Sequence, residues 1–122
     1  MPNKRILIVD NDKTFLSELG ETLELSGYDM VVVDDPRKTI EMADLYDISL
    51  FLLDLKMPAL TGFELAHELN HISRFSHIPI IAMSGYYKTE YESIFETCGI
   101  RKCLKKPFKP LDLITQIETI LL

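Results

Sequence analysis

The sequence alternates short apolar segments with longer stretches of helical periodicity. Three of the apolar segments are almost uninterrupted by polar residues, which is typical of strands buried on both faces of a parallel sheet. The predicted strands are Arg5–Val9, Met30–Val33, Ile48–Leu53, Ile78–Met83 and Lys102–Leu104.

Between these strands, apolar residues recur at helical spacing, and capping residues indicate where helices begin and end. Asp34 or Asp35 precedes one helix, with Pro36 in its first turn, and Gly27 and Gly99 follow two others. The predicted helices are Thr14–Ser26, Pro36–Leu45, Gly62 through Ile72, Thr89–Cys98 and Pro110–Leu122. Their predicted inward faces are Phe15, Leu16, Leu19 and Leu23 in the first; Leu65, Leu69 and Ile72 in the third; Tyr91, Ile94, Phe95 and Cys98 in the fourth; and Leu111, Ile114, Ile117 and Leu121 in the fifth.

Five strands alternating with five helices predict an α/β fold. The expected architecture is a flavodoxin-like doubly wound sandwich, with a five-stranded parallel sheet in the order 2-1-3-4-5. The 122 residues have room for one core, so we expect a single domain over residues 1–122 without an output domain.

The overall charge of −6 argues against direct binding of nucleic acid, because no basic excess is present to neutralise phosphates. No apolar run approaches the roughly 20 residues that span a bilayer, and the N-terminus leads straight into a strand. We therefore expect a cytoplasmic protein with no membrane partner. Cys98 and Cys103 are expected to be small core residues rather than a disulfide.

Polar residues that could take part in binding or catalysis follow four of the predicted strands. Asp10, Asp54, Ser84 and Lys106 each stand at or just beyond a strand's C-terminal end. In the predicted strand order these ends lie close together, at the edge where open α/β sheets place their chemistry. Clustered carboxylates favour a hard cation such as Mg²⁺, and a lysine and a hydroxyl can bind phosphoryl oxygens. The pattern indicates a phosphoryl-transfer site with Asp54 as the acceptor.

These segments resemble the response-regulator receiver domain, the phosphoacceptor module of two-component signalling, and in particular its chemotaxis-regulator-like members. The resemblance covers the whole chain. It rests on Ile-Leu-Ile-Val-Asp-Asn-Asp ending at Asp12, Leu-Leu-Asp-Leu-Lys-Met-Pro ending at Pro58, Gly62, Ile-Ala-Met-Ser-Gly ending at Gly85, and Leu-Lys-Lys-Pro-Phe ending at Phe108.

The resemblance implies that Asp54 accepts a phosphoryl group from a sensor histidine kinase or a phosphotransfer protein. Asp10, Asp54 and the backbone carbonyl of Lys56 would bind Mg²⁺, Ser84 would move toward the phosphate and Lys106 would hold it. The Lys106–Pro107 peptide bond is expected to be cis. Such a module assists its own phosphorylation and dephosphorylation without being a metabolic enzyme. It would signal through an output protein bound at the face of the fourth helix, fifth strand and fifth helix.

The sequence departs from the family pattern at two positions. Asn11 stands where the family usually has a second acid, so we predict a weakened metal ligand, weaker Mg²⁺ binding and slower phosphorylation. Asp12 is expected to be a helix cap or an outer group of the metal site. Cys103 replaces an aromatic residue that takes part in switching, and Tyr86 or Tyr87 is a candidate substitute.

Three alternatives remain at this point. A receiver-like module that is never phosphorylated would be favoured by Asn11. The run from Asp10 to Thr14 also fits the D-x-D-x-T motif of haloacid-dehalogenase-like phosphatases, with Asp10 and Asp12 as its acids, but no acidic pair of the required kind follows Lys106. His67-Glu-Leu-Asn-His71 matches the H-E-x-x-H zinc-protease pattern, yet both histidines are predicted to lie on the exposed face of their helix.

Overall fold

The computed structural model describes residues 3–56, 60–86 and 88–122. Five parallel strands form one sheet in the order β2-β1-β3-β4-β5, which confirms the predicted topology. The strands are β1 (Arg5–Val9), β2 (Asp29–Val33), β3 (Leu50–Asp54), β4 (Ile80–Ser84) and β5 (Ile100–Lys105).

Five helices cover the two faces of this sheet. They are α1 (Lys13–Leu25), α2 (Thr39–Leu45), α3 (Gly62–Asn70), α4 (Tyr91–Cys98) and α5 (Pro110–Leu121), and a 3₁₀ turn at Pro36–Lys38 leads into α2. Apolar residues of α2, α3 and α4 form one core with one face of the sheet, and those of α1 and α5 form a second core with the other. The three central strands are buried over both faces, as their uninterrupted apolar runs predicted.

The parallel pairing places the carboxyl ends of β1, β3, β4 and β5 along one edge of the sheet. Val9 pairs with Leu53, Asp54 pairs with Met83, and Ser84 pairs with Lys105. Residues that directly follow these strands therefore meet above this edge, although they are far apart in sequence.

Several boundaries differ from the sequence-based predictions. Strands β3 and β4 begin two residues later than expected, since Ile48 and Ile78 pack against the core from outside the strands. β5 is longer than predicted, because an edge strand needs only one apolar face and the exposed charged residues Arg101 and Lys105 bound the short run that the sequence search found. Helix α3 ends at Asn70, before Ile72.

Two predicted inward faces are partly wrong. Leu111 is 68% exposed, and Leu113 is buried in its place together with Ile117. Residues two apart on a helix lie about 200° apart around its axis, so a face that contains Leu113 excludes Leu111. Ile94 is 41% exposed and lies at the edge of the buried face of α4, while Phe95 and Cys98 are buried as predicted.

The two cysteines are free, as predicted, and burial raises the pKa of the Cys103 thiol to about 11. That thiol stays neutral at physiological pH and packs as a small apolar group. In the described parts of the chain, no helix is long and apolar enough to cross a membrane.

Candidate functional site

Asp10, Asp54 and Lys106 meet at the carboxyl edge of the sheet. The Lys106 Nζ atom donates to Asp10 Oδ2 at 2.5 Å and lies 3.7 Å from Asp54 Oδ2. Asp10 follows β1, Asp54 ends β3 and Lys106 follows β5, so the strand order itself brings together residues that are up to 96 positions apart. One ammonium group therefore faces two carboxylates.

The two carboxylates are poorly solvated. Asp10 is 1% exposed and Asp54 is 7% exposed. Burial raises the pKa of the Asp54 carboxyl, and the nearby Asp10 charge raises it further. The Lys56 backbone N–H, which donates to Asp54 Oδ1 at 3.2 Å, and the Lys106 ammonium act in the opposite direction. Asp54 is thus an acid whose charged form lacks full compensation.

The backbone around Asp54 is closely packed against the first turn of α3. The Gly62 N–H donates to the Leu55 carbonyl at 3.2 Å, and a Cβ on Gly62 would lie 2.7 Å from Leu55 Cα and 2.8 Å from the Asp54 carbonyl carbon. No L side chain fits such a space without a main-chain shift. The glycine that the sequence motif singled out is therefore required by the close approach of α3 to the end of β3.

Ser84 lies at the same edge and is buried. Its hydroxyl donates to the Tyr86 carbonyl at 2.7 Å and accepts from the Tyr86 N–H at 3.1 Å, which holds it against the loop after β4. The Ser84 carbonyl accepts the Lys106 N–H at 2.8 Å. The main chains of Ser84 and Lys106 are thus joined directly, and the Lys106–Pro107 peptide bond that follows is cis, as expected.

The segment after β1 separates the roles of its three polar residues. Asp10 accepts the Asp12 N–H through Oδ1 at 2.9 Å, and Asp12 caps α1 by accepting the Phe15 N–H at 3.1 Å. This confirms the prediction of Asp12 as a helix cap. Asn11, between them, is exposed at the rim of the site.

The donor set at this edge fits a hard divalent cation. Two buried carboxylates share one ammonium group, which leaves negative charge in a poorly solvated place, and oxygen atoms are the ligands that Mg²⁺ prefers. Among the described residues, no group of three or more His, Cys, Asp or Glu side chains is arranged around a common metal position. A cation here would take two carboxylates, amide or carbonyl oxygens and water, which suits the strong hydration of Mg²⁺.

Two other predicted features lie elsewhere. His67 on α3 and His71, which caps the C-terminal end of this helix, are exposed as predicted. Their ring centroids are 4.2 Å apart, and His71 Nδ1 lies 2.8 Å from the His67 carbonyl oxygen. Tyr86 is 65% exposed, with the Lys88 ammonium 5.2 Å from its ring centroid. Pro58 of the phosphoacceptor motif and Tyr87 lie outside the described residues.

The sequence did not indicate that Phe15 belongs to this site. Its helical position predicted an inward-facing core residue, and the ring is indeed half-buried. Yet the Lys106 Nζ atom lies 4.1 Å from the centroid of this ring. Helical spacing assigns a side chain to a face of its helix, but it does not show which group from a distant strand reaches that face.

Comparisons with known proteins show the family of this chain. The family model of the response regulator receiver domain matches residues 6–118. The alkaline phosphatase synthesis transcriptional regulatory protein PhoP of Bacillus subtilis is 27% identical over 119 residues, which cover 98% of this chain and 49% of PhoP. The chain spans about half or less of the length of the curated relatives that it matches.

Solved structures show the same fold over nearly the whole chain. A CheY-like response regulator receiver domain protein from Methanospirillum hungatei JF-1 superposes with a TM-score of 0.89 at 28% identity, covering 98% of this chain and 94% of the other. The chemotaxis protein CheY4 of Vibrio cholerae has a TM-score of 0.93 at 24% identity, covering 98% and 99% of the two chains. The chain belongs to the response regulator receiver domain family of two-component signalling.

Proposed function

We propose that this receiver domain accepts a phosphoryl group on Asp54. An Asp54 carboxylate oxygen attacks the phosphorus of a phosphohistidine, the P–N bond breaks, and the electron pair leaves with the imidazole nitrogen, which takes up a proton. The product is an acyl phosphate on Asp54. Transfer of this kind depends on positioning and charge stabilisation more than on covalent help from other groups.

The observation that carries this proposal is the convergence of Asp10, Asp54 and Lys106 at one edge of the sheet. Asp54 is the acid that ends a strand, lies beside a loop and has a raised pKa, whereas Asp10 is held in a direct ion pair with Lys106. Lys106 is 3.7 Å from the acceptor oxygen and can pair with phosphoryl oxygens as they arrive. Ser84 supplies a hydroxyl at the same edge that can donate to one of them after leaving Tyr86.

We further propose that Mg²⁺ binds between Asp10, Asp54, the backbone carbonyl of Lys56 and the amide oxygen of Asn11. When bound, the ion would neutralise charge on the phosphoryl group and its donor. Asn11 brings no negative charge, so binding is expected to be weaker than with an acid at this position. The side chain of Asn11 is exposed at the rim of the site, so water can replace its amide oxygen as a metal ligand.

Receiver domains of response regulators interact with histidine kinases and with output domains, and this chain offers a face suited to the second role. A groove of about 530 Å³ lies between α4 and β5. Glu96 is on its helical side, and Arg101, Lys102 and Lys105 are on its strand side. We propose that phosphorylation shifts the equilibrium of this α4–β5–α5 face toward a form that binds an output protein in the cytoplasm.

The test is phosphorylation by a small donor. The protein is incubated with acetyl phosphate and Mg²⁺, and its intact mass is followed with time. We expect the gain of one phosphoryl group in the parent protein and in Asp47→Asn, a variant of an exposed aspartate, and no gain in Asp54→Asn. Failure of the parent to gain mass under any condition would favour the alternative of a receiver-like interaction module, to which the neutral Asn11 points.

A further inference from the structure

The amine end of Lys106, which contacts the carboxylates, also lies over the ring of Phe15. Phe15 lies in the first turn of α1, and its ring centroid is 4.1 Å from Lys106 Nζ. This separation is well within the roughly 6 Å over which an aromatic face attracts a cation. The ammonium group, which is already largely withdrawn from water, gains an electrostatic contact that requires no hydrogen bond.

Phe15 is itself fixed in place by two neighbours. Its ring meets the ring of Phe108 edge-on, with centroids 5.9 Å apart and an interplanar angle of 89°. Its backbone N–H is capped by the Asp12 carboxylate at 3.1 Å. Phe108 follows Lys106 by only two residues, so the ring is held between the helix that carries it and the segment that carries the lysine. Because these neighbours already fix the ring, no further conformational entropy is lost in ordering it when the lysine acts.

The ammonium group must serve two partners during phosphoryl transfer. It contacts Asp10 and lies 3.7 Å from Asp54 before the reaction, and it must then pair with oxygens on the phosphorylated Asp54. A lysine side chain has four rotatable bonds, and fixing them costs conformational entropy. An aromatic face limits where the amine can go without supplying a competing acceptor, because the ring attracts charge but forms no directional bond.

We propose that Phe15 is a positioning residue that keeps the Lys106 ammonium over the acceptor oxygen of Asp54 as it passes from Asp10 to the phosphoryl group. This inference rests on the proposed phosphorylation of Asp54. It also assigns a purpose to Asp12, whose cap holds the helical turn that carries the ring. The contact itself is testable without any phosphorylation.

The first experiment is a double-mutant cycle on stability. Phe15→Leu removes the ring but keeps apolar volume, and Lys106→Met removes the charge but keeps the stem. Unfolding is measured for both single variants, the double variant and the parent. A cation held by the ring predicts a coupling of about fivefold in the folding equilibrium constant. Additive effects of the two substitutions would mean that the ring does not hold the charge, and the proposal would fail.

The chain supplies a matched control for the kinetic experiment. The Arg74 guanidinium carbon lies 4.7 Å from the Phe75 ring centroid, and Phe75 meets Phe51 edge-on at 6.0 Å and 89°. Phe75→Leu therefore removes a ring with the same two kinds of neighbour, but at a place that contains none of the proposed site residues. Any general effect of losing such a ring appears in this variant.

Phosphorylation rates are then measured against acetyl phosphate concentration at saturating Mg²⁺. We expect Phe15→Leu to lower the maximal rate about fivefold, with Mg²⁺ affinity unchanged, while Phe15→Tyr and Phe75→Leu keep the parent rate. An unchanged maximal rate in Phe15→Leu would overturn the proposal. A parent protein that is never phosphorylated would defeat the proposed function, and the stability cycle would still decide whether Phe15 holds Lys106.

Discussion

Two places in this molecule contain the same series of side-chain contacts, but the pKa of the aspartate that is most affected shifts in opposite directions. Each joins a carboxylate to a cation, the cation to the face of a phenylalanine ring, and that ring to the edge of a second ring. At the sheet edge the series is Asp10, Lys106, Phe15 and Phe108, and on the side of the molecule it is Asp44, Arg74, Phe75 and Phe51.

The two series differ in solvation and in charge balance. Arg74 donates to both oxygens of Asp44 at 2.7 and 2.9 Å, and the two side chains are 57% and 43% exposed. Lys106 and Asp10 are 21% and 1% exposed, and a second carboxylate, that of Asp54, competes for the same ammonium. The outer pair is therefore balanced and hydrated, whereas the inner group is buried with an excess of negative charge.

This difference shows how position in the fold, rather than the types of residue present, sets the direction in which the pKa of an aspartate shifts. The hydrogen bond from Arg74 lowers the pKa of Asp44, which is the behaviour of a carboxylate at rest in an ion pair. Burial raises the pKa of Asp54 in spite of its cationic neighbour. The inner arrangement is left short of positive charge, which a divalent metal ion would supply.

The largest expected effect comes from removing Lys106, and the removal of Arg74 is its comparison. Lys106→Met leaves two buried carboxylates without their partner and is expected to lower the free energy of unfolding by about 3 kcal/mol at neutral pH. Arg74→Met removes an exposed pair and should have a much smaller effect. Denaturant unfolding at pH 7 measures both. Equal losses would show that burial does not distinguish the two arrangements.

The close packing of Gly62 against the main chain of Asp54 and Leu55 is the next feature to test. Gly62→Ala forces a Cβ against the main chain of Asp54 and Leu55, so we expect a loss of about 2 kcal/mol and slower phosphorylation. Gly85→Ala is the control, because a Cβ there has no described neighbour within 4 Å. A tolerated Gly62→Ala, with stability and rate like those of Gly85→Ala, would contradict the close packing.

The excess negative charge at the inner site can also be increased. Asn11→Asp adds a carboxylate at the rim and is expected to tighten Mg²⁺ binding about tenfold and to speed phosphorylation. Titration calorimetry gives the affinity, and acetyl phosphate gives the rate. If the variant binds Mg²⁺ no better than the parent, Asn11 does not lie among the metal ligands.

The smallest expected effect is a difference between two aspartate variants in how their stability changes with pH. The raised pKa of Asp54 means that its contribution to stability is present at low pH and is lost as the pH rises through that pKa. The lowered pKa of Asp44 gives the reverse, a contribution present above its ordinary pKa and lost as the pH falls. Relative to the parent, Asp54→Asn should gain stability as the pH rises from about 4 through the raised pKa of Asp54, whereas Asp44→Asn should lose stability as the pH rises toward about 4 from below.

Thermal unfolding at several pH values measures these two slopes. The comparison needs no absolute stability, because each variant is referred to the parent at the same pH. Slopes of the same sign would show that both aspartates are equally well compensated, and the contrast between the two regions would be lost.

Most of the fold follows from local patterns in the sequence. The apolar runs predicted all five strands, the expected flavodoxin-like architecture predicted their order, and β1 has the predicted bounds. The errors occur where one face is solvated. Leu111 and Ile94 are apolar residues that the helix phase leaves outside, and β5 is an edge strand whose charges break its apolar run. In each case tertiary contacts, which a local window does not contain, decide which side is covered.

The residues of the candidate site could be predicted from the sequence, but the contacts between their side chains could not. Asp54 and Ser84 end their strands, Asp10 and Lys106 directly follow theirs, and parallel pairing brings these positions together. Which atoms contact one another depends on side-chain geometry. The movement of Ser84 toward a phosphoryl group stays a prediction, and in the structure its hydroxyl bonds with Tyr86. The sequence contained no indication that Phe15 meets Lys106.

The bond between Lys106 and Asp10 joins positions 96 residues apart, and this has a consequence for synthesis. Both acids leave the ribosome early, and the lysine that compensates them comes with the last strand. Until then a nascent chain carries two carboxylates that favour water over burial, so the carboxyl edge is disfavoured from closing ahead of time. The proposed capacity of Asp54 to accept a phosphoryl group should therefore arise only after β5 and the residues that directly follow it have been synthesised.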